Sequence, residues 1–156
     1  MINLDIPGRG IYKLKSLVLD MNGTIAVDGL IPESVIERLR TLARELEIYI
    51  ITADTHSRLD SQRDRLPANI QKVVPPGESF QKAAFLKNLG SETAVAIGNG
   101  ANDVEMLKQA KLAIAVIGSE GCSTESLKAA DIITNSPEDS LDLLLNTNRL
   151  IATLRR

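Results

Sequence analysis

The stretch that decides the fold is Leu17-Val18-Leu19-Asp20-Met21-Asn22-Gly23-Thr24. Three consecutive apolar residues read as a short strand buried on both faces, as in a parallel sheet. The run stops at a carboxylate, Asp20, which a glycine-containing turn follows. A carboxylate in that position is expected at the sheet edge with its oxygens facing solvent, as a metal ligand, a nucleophile or a plain strand-terminating residue.

The same arrangement recurs along the chain. Ile48–Ile51 is a second buried run that stops at Thr52, followed by Ala53-Asp54. Ile70–Val74 is a third strand, closed by Pro75-Pro76-Gly77. Ala94–Ile97 is a fourth and runs into Gly98-Asn99-Gly100. Leu112–Ile117 and Ile132–Thr134 complete the set. Helix-period segments lie between them. Pro32 opens one with Val35, Ile36, Leu39, Leu42, Ala43 and Leu46 on a single stripe. Thr55 or Ser57 is placed to cap a polar helix that runs through Leu66. Glu78–Leu89 is helical with Gly90 as C-cap. Residues 102–110, Ser123–Ala130 and Pro137 to the C-terminus read as further helices. Ahead of the first strand, Ile2–Ile6 and Ile11–Leu14 flank Pro7-Gly8-Arg9-Gly10 and predict a small hairpin.

Strands alternating with helices of this length predict an α/β fold: one Rossmann-like domain over residues 1–156, with a mostly parallel sheet, helices on both faces and no cap domain. Ligands of such sheets bind beyond the carboxyl ends of the strands. Those ends carry Asp20, Thr52 and Gly98-Asn99-Gly100.

Composition narrows the function. The 156 residues are 44% hydrophobic but only 3% aromatic, so the core is built of Leu, Ile, Val and Ala. A net charge of −2, from 18 basic and 20 acidic residues, gives no footprint for nucleic acid or an anionic membrane. No apolar run approaches the roughly 18–20 residues that span a bilayer. One cysteine, Cys122, allows no internal disulfide and reads as a structural or incidental thiol in a reducing compartment. No signal peptide is visible at the N-terminus, and the cytoplasm is the expected location.

Thr52 and the backbone around Ala53 could hold a phosphate oxygen. Lys82, in the first turn of a helix, opposes the helix dipole, which a bound anion would offset; Lys87 on the same helix competes for that role. His56 reads as a surface residue. Arg58, Arg63 and Arg65 alternate with Asp60 and Asp64 as a solvated face. Leu141 to Leu145 reads as core packing.

Taken in order, Asp20-x-x-Gly23-Thr24, a strand-end Thr52, Lys82 and Gly98-x-Gly100-x-Asn102-Asp103 resemble the four motifs of the haloacid dehalogenase superfamily. The closest sub-pattern is similar to soluble P-type-ATPase-like members. The resemblance implies a Mg²⁺-dependent phosphohydrolase in which Asp20 attacks phosphorus and becomes an aspartyl phosphate. It implies Mg²⁺ held by Asp20, the main-chain carbonyl of Asn22 and an acid of the fourth motif. It gives Lys82 the neutralisation of charge, and Thr52, Ala53, Gly23 and Asn102 contacts to the substrate. The short spacings from Asp20 to Thr52 and from Thr52 to Lys82 leave no space for a cap. The implied substrate is then a phosphorylated small molecule or macromolecule at an open site, or one that a second copy covers; the hairpin is a candidate for such a contact.

Two positions depart from the pattern. Asn22 stands where the family's phosphatases carry an Asp that protonates the leaving group, so slow turnover or a limit to good leaving groups is expected. Asn99 stands where a metal-binding Asp is expected, with Asp103 as a substitute, directly or through water. These losses keep open a degenerate module that binds a phosphorylated ligand or a protein partner. A nucleotide-binding Rossmann protein is a third reading, supported only by Gly98-x-Gly100.

Overall fold

The structure, a computed structural model, describes residues 1–53 and 57–156, the side chains of residues 57, 58 and 60 excepted. Thr55, His56 and the side chains of Ser57, Arg58 and Asp60, given roles from sequence above, lie outside the described residues.

Two antiparallel strands, β1 (Ile2–Ile6) and β2 (Gly10–Leu14), form the expected hairpin. The main sheet contains β3 (Ser16–Asp20), β4 (Glu47–Thr52), β5 (Asn69–Lys72), β6 (Ala94–Gly98), β7 (Leu112–Val116) and β8 (Ile132–Thr134). All six are parallel, in the order β5-β4-β3-β6-β7-β8. Helices α1 (Glu33–Leu42), α2 (Ser57–Gln62), α3 (Glu78–Leu89), α4 (Val104–Gln109), α5 (Thr124–Ala129), α6 (Pro137–Leu145) and α7 (Thr147–Leu154) connect and flank it.

The central strands β3, β6 and β7 are buried at all five residues, so both of their faces are covered, whereas the edge strand β5 has no buried residue. On one face Leu17, Leu19, Val95, Ile97, Leu112 and Ile114 pack with residues of α1, α6 and α7 and with the inner face of the hairpin. On the other, Val18, Ala94, Ala96 and Ala113 pack with Leu86 of α3 and with Met106 and Leu107 of α4. Small alanines on this second face let α3 and α4 lie close to the sheet, which matters because α3 carries Lys82. Of the stretch Leu141–Leu145 read as core packing, Leu141 and Leu144 are core residues, and Leu143 and Leu145 pack against the core while partly buried.

Several boundaries differ from the sequence reading, each for a local reason. The third strand stops at Lys72, not Val74, because the Gln81 side chain takes both backbone groups of Val74: Val74 N donates to Oε1 at 3.0 Å, and Nε2 donates to Val74 O at 2.6 Å. The segment 102–110 divides into a 3-10 turn, Ala101–Asp103, and α4. The C-terminal segment breaks at Asn146, whose backbone is not helical and whose side chain donates to Asp142 O at 3.0 Å.

The hairpin lies at the amino ends of the strands. Lys15 N donates to Thr93 O at 2.8 Å just before β3 and β6 begin, and Arg156 N donates to Pro7 O at 3.0 Å. It is therefore at the end of the sheet opposite the strand tips of its own chain.

Candidate active site

Register brings the three predicted strand ends together. Asp20 pairs with Ile51, so Thr52 is one residue further along the adjacent strand. Leu19 pairs with Ile97, which sets Gly98 level with Asp20 on the other side. Neighbouring strands are about 4.8 Å apart, so all three tips fall within one small area.

Asp20 does not face solvent as the sequence suggested. It is buried, because the chain after β3 folds back over it: Met21, Thr24 and Ile25 are all buried. The carboxylate is enclosed by specific donors. Lys82 Nζ donates to its Oδ1 at 2.5 Å, and Thr24 Oγ1 lies 3.0 Å from its Oδ2. Lys82 reaches there from the first turns of α3 and is 1% exposed, whereas Lys87 is on the exposed side of the same helix. Of the two candidate lysines, the fold brings only Lys82 to Asp20.

Lys82 also donates to Asp103 Oδ1 at 2.7 Å. The other oxygen of Asp103 accepts the backbone N–H groups of Asn99 (3.0 Å) and Gly100 (2.9 Å). Asp103 is fully buried with both oxygens committed. Asp103 thus ties the turn at Asn99-Gly100 to Lys82. Gly98 makes this possible, since a Cβ there would lie 2.6 Å from Asp103 Cγ. The glycine opens space for an internal carboxylate, which removes the only support for a dinucleotide site.

Two carboxylates share one ammonium, and the consequences are electrostatic. Burial, then the charge of Asp103, pushes the Asp20 carboxyl up to about 6, against the opposing pull of Lys82 and Thr24. Burial pulls the Lys82 ammonium down, but the charges of Asp20 and Asp103 outweigh it and leave the group raised. The Cys122 thiol, half-buried, is also pushed up, first by burial and then by Asp103, so its nucleophilic thiolate is disfavoured.

Asn99 is oriented without ambiguity. Its Nδ2 donates to Gly121 O at 3.1 Å, which turns Oδ1 toward Thr24 Oγ1, 2.9 Å away. One hydroxyl proton therefore faces two acceptors, Asp20 Oδ2 and Asn99 Oδ1. That surplus of oxygen lone pairs suits a hard cation, which can take one carboxylate and a neutral carbonyl if water and phosphate supply the rest. Among the described residues no three His, Cys, Asp or Glu side chains gather to hold a metal without such help. The donor set fits Mg²⁺ with fewer protein charges than a pair of carboxylates would give.

The remaining predicted residues are placed as follows. Thr52 is buried at its strand tip and Ala53 is half-buried beside it. The Asn22 side chain is exposed. Gly23 has φ +77°, and a Cβ there would stand 2.6 Å from Asn99 Nδ2. Asn102 is exposed in the turn, its Oδ1 2.7 Å from where a Cβ of Gly100 would stand.

Sequence reasoning missed three parts. The first is Thr24, quoted as motif but given no role. The second is a flap in which Val27 pairs with Leu30 around Asp28-Gly29. Both central residues have positive φ (51° and 77°), the geometry that Asp-Gly favours in a two-residue hairpin turn, so the signal was in the sequence. The third is the loop 117–123 after β7, which supplies Glu120, Gly121 and Ser123 to the site; only the order of strands brings it there.

An α/β fold with an acid and a glycine turn at adjacent strand tips, and a lysine that reaches the acid from a flanking helix, defines a class, and comparison with known proteins identifies it. The chain belongs to the haloacid dehalogenase-like hydrolases, whose family model matches residues 67–141, a span with Lys82 and the turn at 98–103 but without Asp20. It is similar to uncharacterized protein MJ0073 of Methanocaldococcus jannaschii, at 45% identity over 82 residues, 50% of this chain and 88% of that protein. It also resembles Phospholipid-transporting ATPase 1 of Arabidopsis thaliana, at 38% identity over 101 residues, 63% of this chain but 8% of the ATPase. No helix among the described residues is long and apolar enough to cross a membrane. In fold it is similar to the 3-deoxy-D-manno-octulosonate 8-phosphate phosphatase of Moraxella catarrhalis, solved with magnesium, phosphate and KDO. That likeness has a TM-score of 0.68 at 18% identity and covers 91% of this chain and 94% of that one.

Proposed function

We propose that this hydrolase is a Mg²⁺-dependent phosphohydrolase that works through a phosphoryl group on Asp20. The observation that carries the reading is Lys82, fixed by Asp103 and donating to Asp20 at 2.5 Å. A carboxylate and a phosphate dianion repel; an ammonium already bonded to the carboxylate offsets that repulsion. The Asp20 carboxylate attacks phosphorus, an O–P bond to Asp20 forms, and the bond from phosphorus to the leaving oxygen breaks. Water then attacks the aspartyl phosphate and releases inorganic phosphate. Asp20, the main-chain carbonyl of Asn22 and Asn99 Oδ1 would hold Mg²⁺, which when bound neutralises charge on the transferring phosphoryl group. Thr52, Ala53, Gly23 and Asn102 are the proposed substrate contacts.

Asn22 has no proton to exchange near neutral pH. The leaving group then departs without general-acid help, and the second step lacks a base. This favours acyl and aryl phosphates and a long-lived phosphoenzyme. The proposed substrate is a phosphorylated small molecule or macromolecule, and the proposed cover for the open site is a second copy of the chain.

The test is turnover of acetyl phosphate and an aryl phosphate, with and without Mg²⁺, beside Asp20→Asn. Metal-dependent release of phosphate that the substitution abolishes supports the enzyme. Asn22 and Asn99 favour a second reading, a binding module for a phosphorylated ligand; Asp20-independent binding of phosphate with no turnover supports that one instead.

A further inference from the structure

One carboxylate at the edge of this site has no part in the reaction above. Glu120 is exposed in the loop 117–123 between β7 and α5. Its Oε1 accepts the backbone N–H of Asp28, at the tip of the flap, at 3.2 Å. Its Oε2 lies 3.1 Å from where a Cβ of Gly23 would stand, at the base of the flap. The side chain therefore meets the flap at both ends. Gly118 in the same loop also approaches Gly23: a Cβ on Gly118 would stand 3.4 Å from Gly23 O.

The same loop orients Asn99. Gly121 O accepts from Asn99 Nδ2 at 3.1 Å, and Ser123 N donates to Asn99 O at 2.8 Å. One short segment thus touches the flap on one side and the candidate metal-side amide on the other. The flap's own turn is closed by the Val27–Leu30 pair, with N–H to O distances of 3.0 Å in both directions. That pair shapes the turn but does not tie it to the rest of the fold.

We propose that Glu120 is a positioning residue: it clasps the flap to the loop that orients Asn99, so that flap position and site geometry are set together. The kinetic part of this rests on the phosphohydrolase reading; the clasp itself does not. An acceptor carboxylate at an exposed position gives a bond that opens readily, which lets the flap admit and release ligand without unfolding of the sheet.

The experiment is amide hydrogen exchange on the full chain, with Glu120→Ala and Glu120→Gln, joined to steady-state kinetics on p-nitrophenyl phosphate with Mg²⁺. Loss of a hydrogen bond to a charged acceptor predicts roughly tenfold faster exchange at the Asp28 amide in Glu120→Ala. The Gly100 amide, held by Asp103, should stay unchanged. Glu120→Gln keeps an acceptor oxygen and should restore most of the protection. KM should rise several-fold in Glu120→Ala, with kcat within about twofold. Unchanged exchange at Asp28 overturns the proposal, as does equal acceleration at Asp28 and Gly100, or a Glu120→Gln variant as open as Glu120→Ala. No turnover by the wild type, with the exchange response intact, supports the clasp and counts against the phosphohydrolase reading alone.

Discussion

Lys82 donates to Asp20 across 62 residues of chain, at 2.5 Å and almost wholly out of water. A buried ion pair of this kind is weak evidence for stability, since desolvation offsets much of the Coulombic gain. In the proposed reaction its use is chemical. The lysine also donates to Asp103 at 2.7 Å, a bond that does not depend on the charge on Asp20.

Loss of the lysine should be costly. Lys82→Met leaves Asp20 and Asp103 as two buried carboxylates with no cation between them. The expected destabilisation is about 3–5 kcal/mol. Adding Asp20→Asn to Lys82→Met should recover part of it, because the residues share one network. Urea denaturation of the two single variants and the double checks this; a gain from Asp20→Asn no larger in the Lys82→Met background than in the wild type would contradict it.

The raised carboxyl of Asp20 has a signed consequence for stability. Its pKa goes from 3.8 to about 6 on folding, so between about pH 4 and 6 the folded chain holds a proton that the unfolded chain has lost. The contribution of this group therefore falls as pH rises through that window. Asp20→Asn removes it. The variant should unfold at a higher urea concentration than the wild type at pH 7, and the difference should shrink toward pH 4.5. A gain that is constant with pH would place the effect elsewhere.

Asn99→Asp should trade stability for metal. An Asp oxygen would replace the Nδ2 that donates to Gly121 O, setting two acceptors 3.1 Å apart. Without metal this should cost about 1–3 kcal/mol. The added carboxylate beside Asp20 should also strengthen Mg²⁺ binding at least tenfold. Thermal melts over a Mg²⁺ series should show a variant that starts lower and rises more steeply than the wild type.

Asn22→Asp should restore acid–base help to the exposed position beside Gly23. Turnover of an alkyl phosphate should rise by about 10²–10⁴, and acetyl phosphate should gain far less in its first step. The phosphoenzyme should also become short-lived. Equal gains for good and poor leaving groups would argue against missing general acid as the cause of slow turnover.

Most of the sheet, and the strand ends that meet at Asp20, could be read from the sequence. Buried runs such as Leu17-Val18-Leu19 are unambiguous when both faces are covered, and chain order alone placed Asp20, Thr52 and Gly98 at strand ends. The burial of Asp20 was not legible, because it comes from the chain folding back through Thr24 and Ile25, a tertiary event with no periodic signature. The hydrogen bonds of Asp103 were not legible for a related reason: an acid in a turn looks available, and only the fold brings its oxygens to Lys82 and two amides. Glu120 and Gly121 could not be found at all, since their approach depends on β7 lying beside β6. The Asp28-Gly29 turn could have been found, because those two residues between Val27 and Leu30 are a recognised hairpin signal.

The most direct test is to incubate the protein briefly with ³²P-labelled acetyl phosphate and Mg²⁺, quench in acid, and map any label by peptide. The prediction is one acid-stable, hydroxylamine-sensitive label on the peptide that contains Asp20, lost in Asp20→Asn and in the absence of Mg²⁺. No label under any condition, or a label that survives the substitution, would contradict a phosphoryl-accepting Asp20.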